Sequence, residues 1–305
     1  MKQSILTARP LLAIALFCLA TSCEKPVIEG GSSQNKEVSN DNVTITFSSF
    51  TAEQKGFGSG DISRAAEAIP IADVATRINL AIFDADSGER AASVNQERGD
   101  ATFGKITVRL PKGEYAVVAI AHNGDGNATI SSPSKVTFKN NKVTDTFCYY
   151  GTIDASADSQ YGMDMRRAVA MFRLTVKDYT PKDINAMKFY YTGGSSTLDA
   201  TTGRGCVNSK QTEIRTVSSD AHTGESSYDI FTFPHDESGK LKIEVSALEN
   251  STSTSPVHTR TFSDVGITRN HITHMSGFFY GEDQEGGRSF SMTTTDEWVY
   301  DNYTY

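Results

Sequence analysis

Cysteine is scarce in this chain. It has four in 305 residues, and two of them, Cys18 and Cys23, fall in the first 23 positions. Beyond these only Cys148 and Cys206 remain, enough for one disulfide or for two separate thiols, and both readings stay open. Long apolar runs are missing as well. The stretch at 11–20 is shorter than the roughly 20 residues that a membrane-spanning helix needs. No basic cluster exists: 29 Lys and Arg stand against 37 Asp and Glu, a net charge of −8. Nucleic acid and anionic lipid are therefore poor partners. No window of helical length carries a 3.6-residue apolar period, which argues against a helical fold. The G-x-x-x-x-G-K-[ST] and G-x-S-x-G patterns are absent too, so phosphate transfer and serine hydrolysis have no support. No cofactor and no catalytic residue are expected.

What is present starts at the N-terminus. Lys2 and Arg9 precede the apolar run, which ends in "LATSC" and turns polar at once. This is the layout of a secretory signal. Residues 19–23 resemble a bacterial lipobox, in which small residues lead to a cysteine that accepts a diacylglyceryl thioether and becomes the new N-terminus. Ala20 departs from the commonest pattern, where Leu stands; here Leu19 lies one place earlier. The expectation is a signal peptide over 1–22, lipidation of Cys23, and a flexible Gly- and Ser-containing tether over 23–42. Acyl chains at about 0.8 kcal/mol per buried methylene would hold the protein stably on a membrane.

After the tether the pattern acquires period two. Val43, Ile45 and Phe47 alternate with Thr44, Thr46 and Ser48, and similar alternation marks 76–84, 105–110, 166–178 and 240–248, while 114–123 reads as a half-buried to fully buried return strand. Many short strands punctuated by Gly, Pro and Asn predict an all-β protein of sandwich type. The polar stretch 155–164 is read as a junction, giving one sandwich over 43–160 and a second over 161–305. Residues 51–75 are expected to form a long loop.

The ordered set "LPKGEYAVVAIAHN", "MRRAVAMFRLTVKD", "YTGGSSTLDATTGRG", "FTFPHDESGKLKIEV" and "ITRNHITHMSGFFYG" resembles the fimbrillin-like family of Bacteroidales, especially its anchoring and accessory subunits. The resemblance runs from Cys23 to about Gly281. It implies two transthyretin-like β-sandwich domains on an outer-membrane, surface-exposed lipoprotein of fimbriae, with other fimbrial subunits as partners and a host or bacterial surface ligand possible. It also implies assembly by strand complementation. In polymerising members a protease cuts after Arg or Lys, the first strand leaves, and a strand from another subunit takes its place. Arg64 in "ISRAA" is the matching cut site, and the strand bearing Val43, Ile45 and Phe47 is the removable one. Anchoring members keep both strand and lipid.

Other constellations have plainer readings. His271 and His274 in "HITH" face opposite sides of a strand and cannot chelate together, while His122, His222, His235 and His258 lack partners at ligand spacing. Asp84, Asp86 and Glu89 around Gly88 start like a calcium loop but lack its closing ligands; a tight turn explains them. No metal is expected. The glycine-rich 193–205 reads as a sandwich loop, and 123–127 as a turn. Trp298, Tyr300, Tyr303 and Tyr305 could form an aromatic platform, so a surface-exposed carbohydrate-binding lipoprotein is the alternative. A final strand pinned by its aromatics is the favoured reading of 289–305.

Overall fold

Alternation builds the first strand directly. In the computed structural model, which describes residues 41–53, 68–281 and 290–295, β1 (Asn42–Glu53) buries Val43, Ile45 and Phe47 and turns Thr44, Thr46 and Ser48 away from the core. The alternation then slips by one residue. Ser49 has φ 54°, a left-handed conformation, and the pairing register shifts there, so Phe50 and Ala52 return to the buried face. An extra residue in a strand does this: it re-aims every side chain beyond it.

β2 (Ala68–Pro70), a single helical turn α1 (Ile71–Val74), β3 (Arg77–Asp84), β4 (Arg90–Glu97), β5 (Ile106–Pro111) and β6 (Glu114–His122) follow. After β7 (Thr129–Ser132) and β8 (Lys135–Thr137) come β9 (Thr146–Asp154) and β10 (Ser159–Arg167). One layer holds β10, β1, β5 and β2; the other runs β9-β6-β3-β4. They meet at a corner where only Arg166 and Arg167 of β10 pair with β9. Between the layers lies a core of Ile45, Phe47, Leu80, Ile82, Val117, Phe147, Met163, Met165 and their neighbours.

Further along come β11 (Ala170–Val176), β12 (Ala186–Thr192), β13 (Thr197–Asp199), β14 (Arg204–Gly205), β15 (Lys210–Thr216), β16 (Ser226–Thr232), β17 (Ser238–Leu248), β18 (His258–Thr268), β19 (Ile272–Gly277) and β20 (Phe290–Thr295). Two four-stranded sheets, β16-β11-β19-β20 and β15-β12-β17-β18, enclose a second core around Phe172, Leu174, Phe189, Tyr191, Ile243 and Phe279. The protein is all-β, as the alternation leads one to expect.

A third core ties the two halves together. β7 and β8 join β13 and β14 in a small sheet, with Leu198 opposite Val136. Phe83, Val118 and Ile120 from the outer face of β3 and β6 pack there with Val169, Leu198 and Phe233. β3 and β6 are thus buried on both faces, which is why "AVVAIA" is an unbroken apolar run rather than an alternating one. At the same seam Arg167 grips buried Asp145 through Nε to Oδ1 at 2.7 Å and Nη2 to Oδ2 at 3.1 Å. Its Nη1 donates to Asn270 Oδ1 at 2.9 Å.

Three expectations need revision. The run 166–178 is two strands: β10 stops at Arg167 and β11 begins at Ala170, with Ala168 and Val169 in the third core between them. The chain changes sheets there, and apolar residues on both sides of the crossing mimic one long strand. The polar stretch 155–164 contains the start of β10, a full member of the first layer. Its inward Tyr161, Met163 and Met165 are separated by Gly162 and Asp164, which masks the alternation. The expected loop at 51–75 is also shorter, since β1 runs to Glu53 and β2 and α1 fill 68–74.

Candidate functional site

β1 is inserted between neighbours on both edges. On one side it runs parallel to β10, pairing Ile45 with Ser159 through Ala52 with Met165. On the other it is antiparallel to β5 from Asn42 to Phe47, and to β2 from Thr51 to Glu53. β10 and β5 lie far away in sequence, so only the short pairing of Thr51–Glu53 with β2 is local. The inward side chains enter a continuous apolar trough. Phe47 is fully buried, with its ring 6.1 Å from that of Tyr161, and Ile106, Leu110, Met163 and Met165 belong to the same core.

Outward contacts are polar and few. Asp158 Oδ1 accepts from the Thr44 backbone N–H at 2.7 Å, and Asp164 Oδ1 accepts from the Thr51 hydroxyl at 2.7 Å. Gln160 donates to Ser48 Oγ at 2.7 Å. The arrangement can do one thing physically: hold an extended segment by two ladders of backbone hydrogen bonds and a row of alternate apolar side chains. Val43, Ile45 and Phe47, the residues singled out from sequence, are together on its buried face. Phe50 and Ala52, displaced by the bulge, complete the row. Cys23, Arg64, Trp298, Tyr300, Tyr303 and Tyr305 lie outside the described residues, as do the expected signal over 1–22 and all of the tether expected over 23–42 except its last two residues, where Asn42 begins β1.

The remaining candidates resolve into structural roles. Asp84 Oδ1 accepts from the N–H groups of Asp86 and Ser87 and from the Ser87 hydroxyl, and Gly88 has φ 70°; this is a tight turn. Those bonds hold the Asp84 carboxyl below its usual range. His271 Nδ1 bonds the Arg269 carbonyl and His274 Nε2 bonds the Thr175 hydroxyl, so the two rings serve different neighbours. Burial, with Arg173 nearby, lowers the His274 pKa. His122 is enclosed by the β3–β6 layer. Its Nδ1 accepts from Gly124 N–H, which leaves Nε2 to donate to Asn79 Oδ1 at 3.0 Å. Burial, then the charge of Arg77, pushes its pKa down to about 4.

Among the described residues no group of three or more His, Cys, Asp or Glu side chains is placed to hold a metal. Gly193, Gly194 and Gly205 serve close approach, while Gly203 takes a left-handed φ of 68° in open space. A Cβ on Gly194 would strike Thr232, and one on Gly205 would strike Ser195 and the Phe233 backbone. Cys148 and Cys206 are separate thiols, the first buried with its pKa pushed up to about 12, the second exposed.

A family model described as fimbrillin-A associated anchor proteins Mfa1 and Mfa2 matches residues 35–300. The chain belongs to this family. Its members are fimbrial anchor and accessory proteins, and the chain takes that role at the cell surface in association with other fimbrial subunits. Solved structures of similar fold include a candidate adhesin from Bacteroides ovatus, at 10% identity and TM-score 0.48, covering 78% of this chain and 88% of that one. The fimbrial anchor protein Mfa2 from Porphyromonas gingivalis is 10% identical at TM-score 0.43, covering 84% and 98%. A candidate cell adhesion protein from Bacteroides eggerthii is 12% identical at TM-score 0.44, covering 83% and 95%. No curated protein matches the chain. Among the described residues no helix is long and apolar enough to cross a membrane.

Proposed function

We propose that this member of the anchor family is a lipoprotein held on the outer membrane through Cys23, and that it joins other subunits by exchange of the β1 segment. The observation that carries the exchange is β1 itself, an inserted strand with one edge paired to distant β10, the other mainly to distant β5, and five inward side chains buried. Loss of β1 would leave two unpaired edges and an apolar trough, and such edges pair with other chains. Arg64, between β1 and β2, is the proposed cut site. An uncut chain keeps its own strand and ends an assembly. In this reading the chain has two sandwiches, with the passage between them at Ala168 and Val169, and it catalyses nothing.

The bulge adds a constraint on any replacement strand. It must run parallel to β10, present apolar residues at three alternate positions, take one extra residue in place of Ser49, and then present two more. Labelled palmitate tests the anchor. Cys23→Ala should abolish incorporation and leave unprocessed precursor, whereas a variant still labelled and still in the outer-membrane fraction refutes lipidation at this residue.

A further inference from the structure

The outer face of the β15-β12-β17-β18 sheet has its own chemistry. Met187, Phe189 and Tyr191 of β12 are in the core, so period two sends Lys188, Tyr190 and Thr192 outward. Register then sets their neighbours across the strands. Ile214 and Ser246 flank Lys188, Thr212 and Glu244 flank Tyr190, and Lys210 and Lys242 flank Thr192. Tyr190 is 37% exposed and Ile214 42%. Tyr190 is on an interior strand of this sheet and Ile214 on its edge strand β15, and both large side chains are exposed on the outer face.

Charge sets this face apart. Lys188, Lys210 and Lys242 make no ion pair among the described residues, and Glu244 is the one acid in these three rows. The opposite sheet differs: on its outer face Arg173 is matched by Asp229 through bonds of 2.7 and 2.8 Å. Asp264 of β18 borders these rows and is paired with Lys240 at 3.4 Å, so Lys188, Lys210 and Lys242 keep an excess of positive charge in a chain of net charge −8, which favours an anionic occupant. Lys210 and Lys242 stand two strand spacings apart, about 9.6 Å, on either side of the row next to Tyr190.

We propose that this face binds an acidic polysaccharide of the uronate type, with the Tyr190 ring against the C–H face of one sugar and Lys188, Lys210 and Lys242 on its carboxylates. Thr192 and Thr212 add hydroxyls beside the ring, and Glu244 accepts from sugar hydroxyls. An acidic peptide suits the face less well. Both edges of β12 and of β17 are already paired, so an extended peptide finds no backbone ladder beside Tyr190 or Lys242 and could add only along the edge strand β15. The surface is also a sheet face rather than a groove for a helix. The site is separate from the β1 trough, so it stands or falls independently of strand exchange.

The test is calorimetric titration of the full chain with polygalacturonate, alongside neutral dextran and poly-glutamate. Polygalacturonate should bind and weaken with added salt. Tyr190→Ala, and the pair Lys210→Gln with Lys242→Gln, should each weaken it about tenfold or more. Tyr150→Ala, an exposed tyrosine on β9, should leave it unchanged, and all variants should melt like the parent. No binding of polygalacturonate, equal binding of dextran, or affinity untouched by the Tyr190 and Lys changes overturns the proposal. Poly-glutamate bound as tightly as polygalacturonate overturns it in favour of an acidic polypeptide.

Discussion

Phe47 and Thr46 are neighbours in sequence with opposite consequences. Phe47 has no exposed surface and packs near Tyr161, so Phe47→Ala removes a filled volume from the centre of the first core. Such truncations cost about 3–5 kcal/mol, and urea unfolding should register a loss of that order. Thr46→Ala, on the outer face, should stay within about 0.5 kcal/mol of the parent. His122 supplies a pH signature. Its folded pKa is depressed to about 4 from an unfolded value of 6.5, so the unfolded chain binds more protons between these values. The stabilisation is fully present above pH 6.5 and is lost as pH falls through about 4. His122→Gln, which keeps a donor and an acceptor, should flatten the stability–pH slope across that window; an unchanged slope assigns the dependence to other groups. Arg167 and Asp145 form a buried pair at the seam of the halves. Arg167→Met removes the guanidinium that two hydrogen bonds hold on the buried Asp145 carboxylate and should cost about 3–5 kcal/mol, while adding Asp145→Leu should recover much of it. Equal losses in the single and double variants, measured by urea unfolding, contradict that account.

At the scale of elements, the bulge in β1 makes a sharp prediction. Deleting Ser49 would force Phe50 and Ala52 to the solvent face, because a one-residue slip reverses every side chain beyond it. The deletion should abolish cooperative unfolding or lower its midpoint far more than Ser49→Gly, which accepts φ 54° without strain. The same device shows where the sequence could be read and where it could not. β1, β5 and β17 were legible because their alternation is unbroken over at least five residues, and β3 because Ile78, Leu80 and Ile82 keep the period on one face. β18 was not, because its buried Phe262, Val265 and Ile267 are spaced three and then two apart around Asp264, whose φ is 56°. β4 was missed for another reason: it carries Arg, Ala, Ser, Asn and Gln, and only Gln96 is buried. The trough was half legible. Val43, Ile45 and Phe47 announce an inward face, but pairing with β10, more than 100 residues away, is a long-range choice that no local pattern encodes. The Lys188, Tyr190 and Lys242 face depends on register across three strands and is invisible in any single one.

In the molecule as a whole, the first strand of the large core owes most of its pairing to distant parts of the chain. β10, β5 and β2 reach it from three places in the chain, while β3, β6 and β9 are secured on both faces by the first and third cores. Loss of β1 should therefore open the trough without unravelling the layer beneath it. Limited trypsin treatment of the full chain should cut first at Arg64 rather than within paired strands. The most direct measurement follows from that cut. The nicked chain is mixed with excess labelled peptide of residues 42–53, or with the same peptide carrying Asp at 43, 45 and 47, and followed by native mass spectrometry and light scattering. The account predicts one-for-one exchange of the parent peptide, none of the Asp peptide, and oligomers when β1 leaves with no replacement. A nicked chain that releases β1, takes up neither peptide and stays monomeric would contradict it.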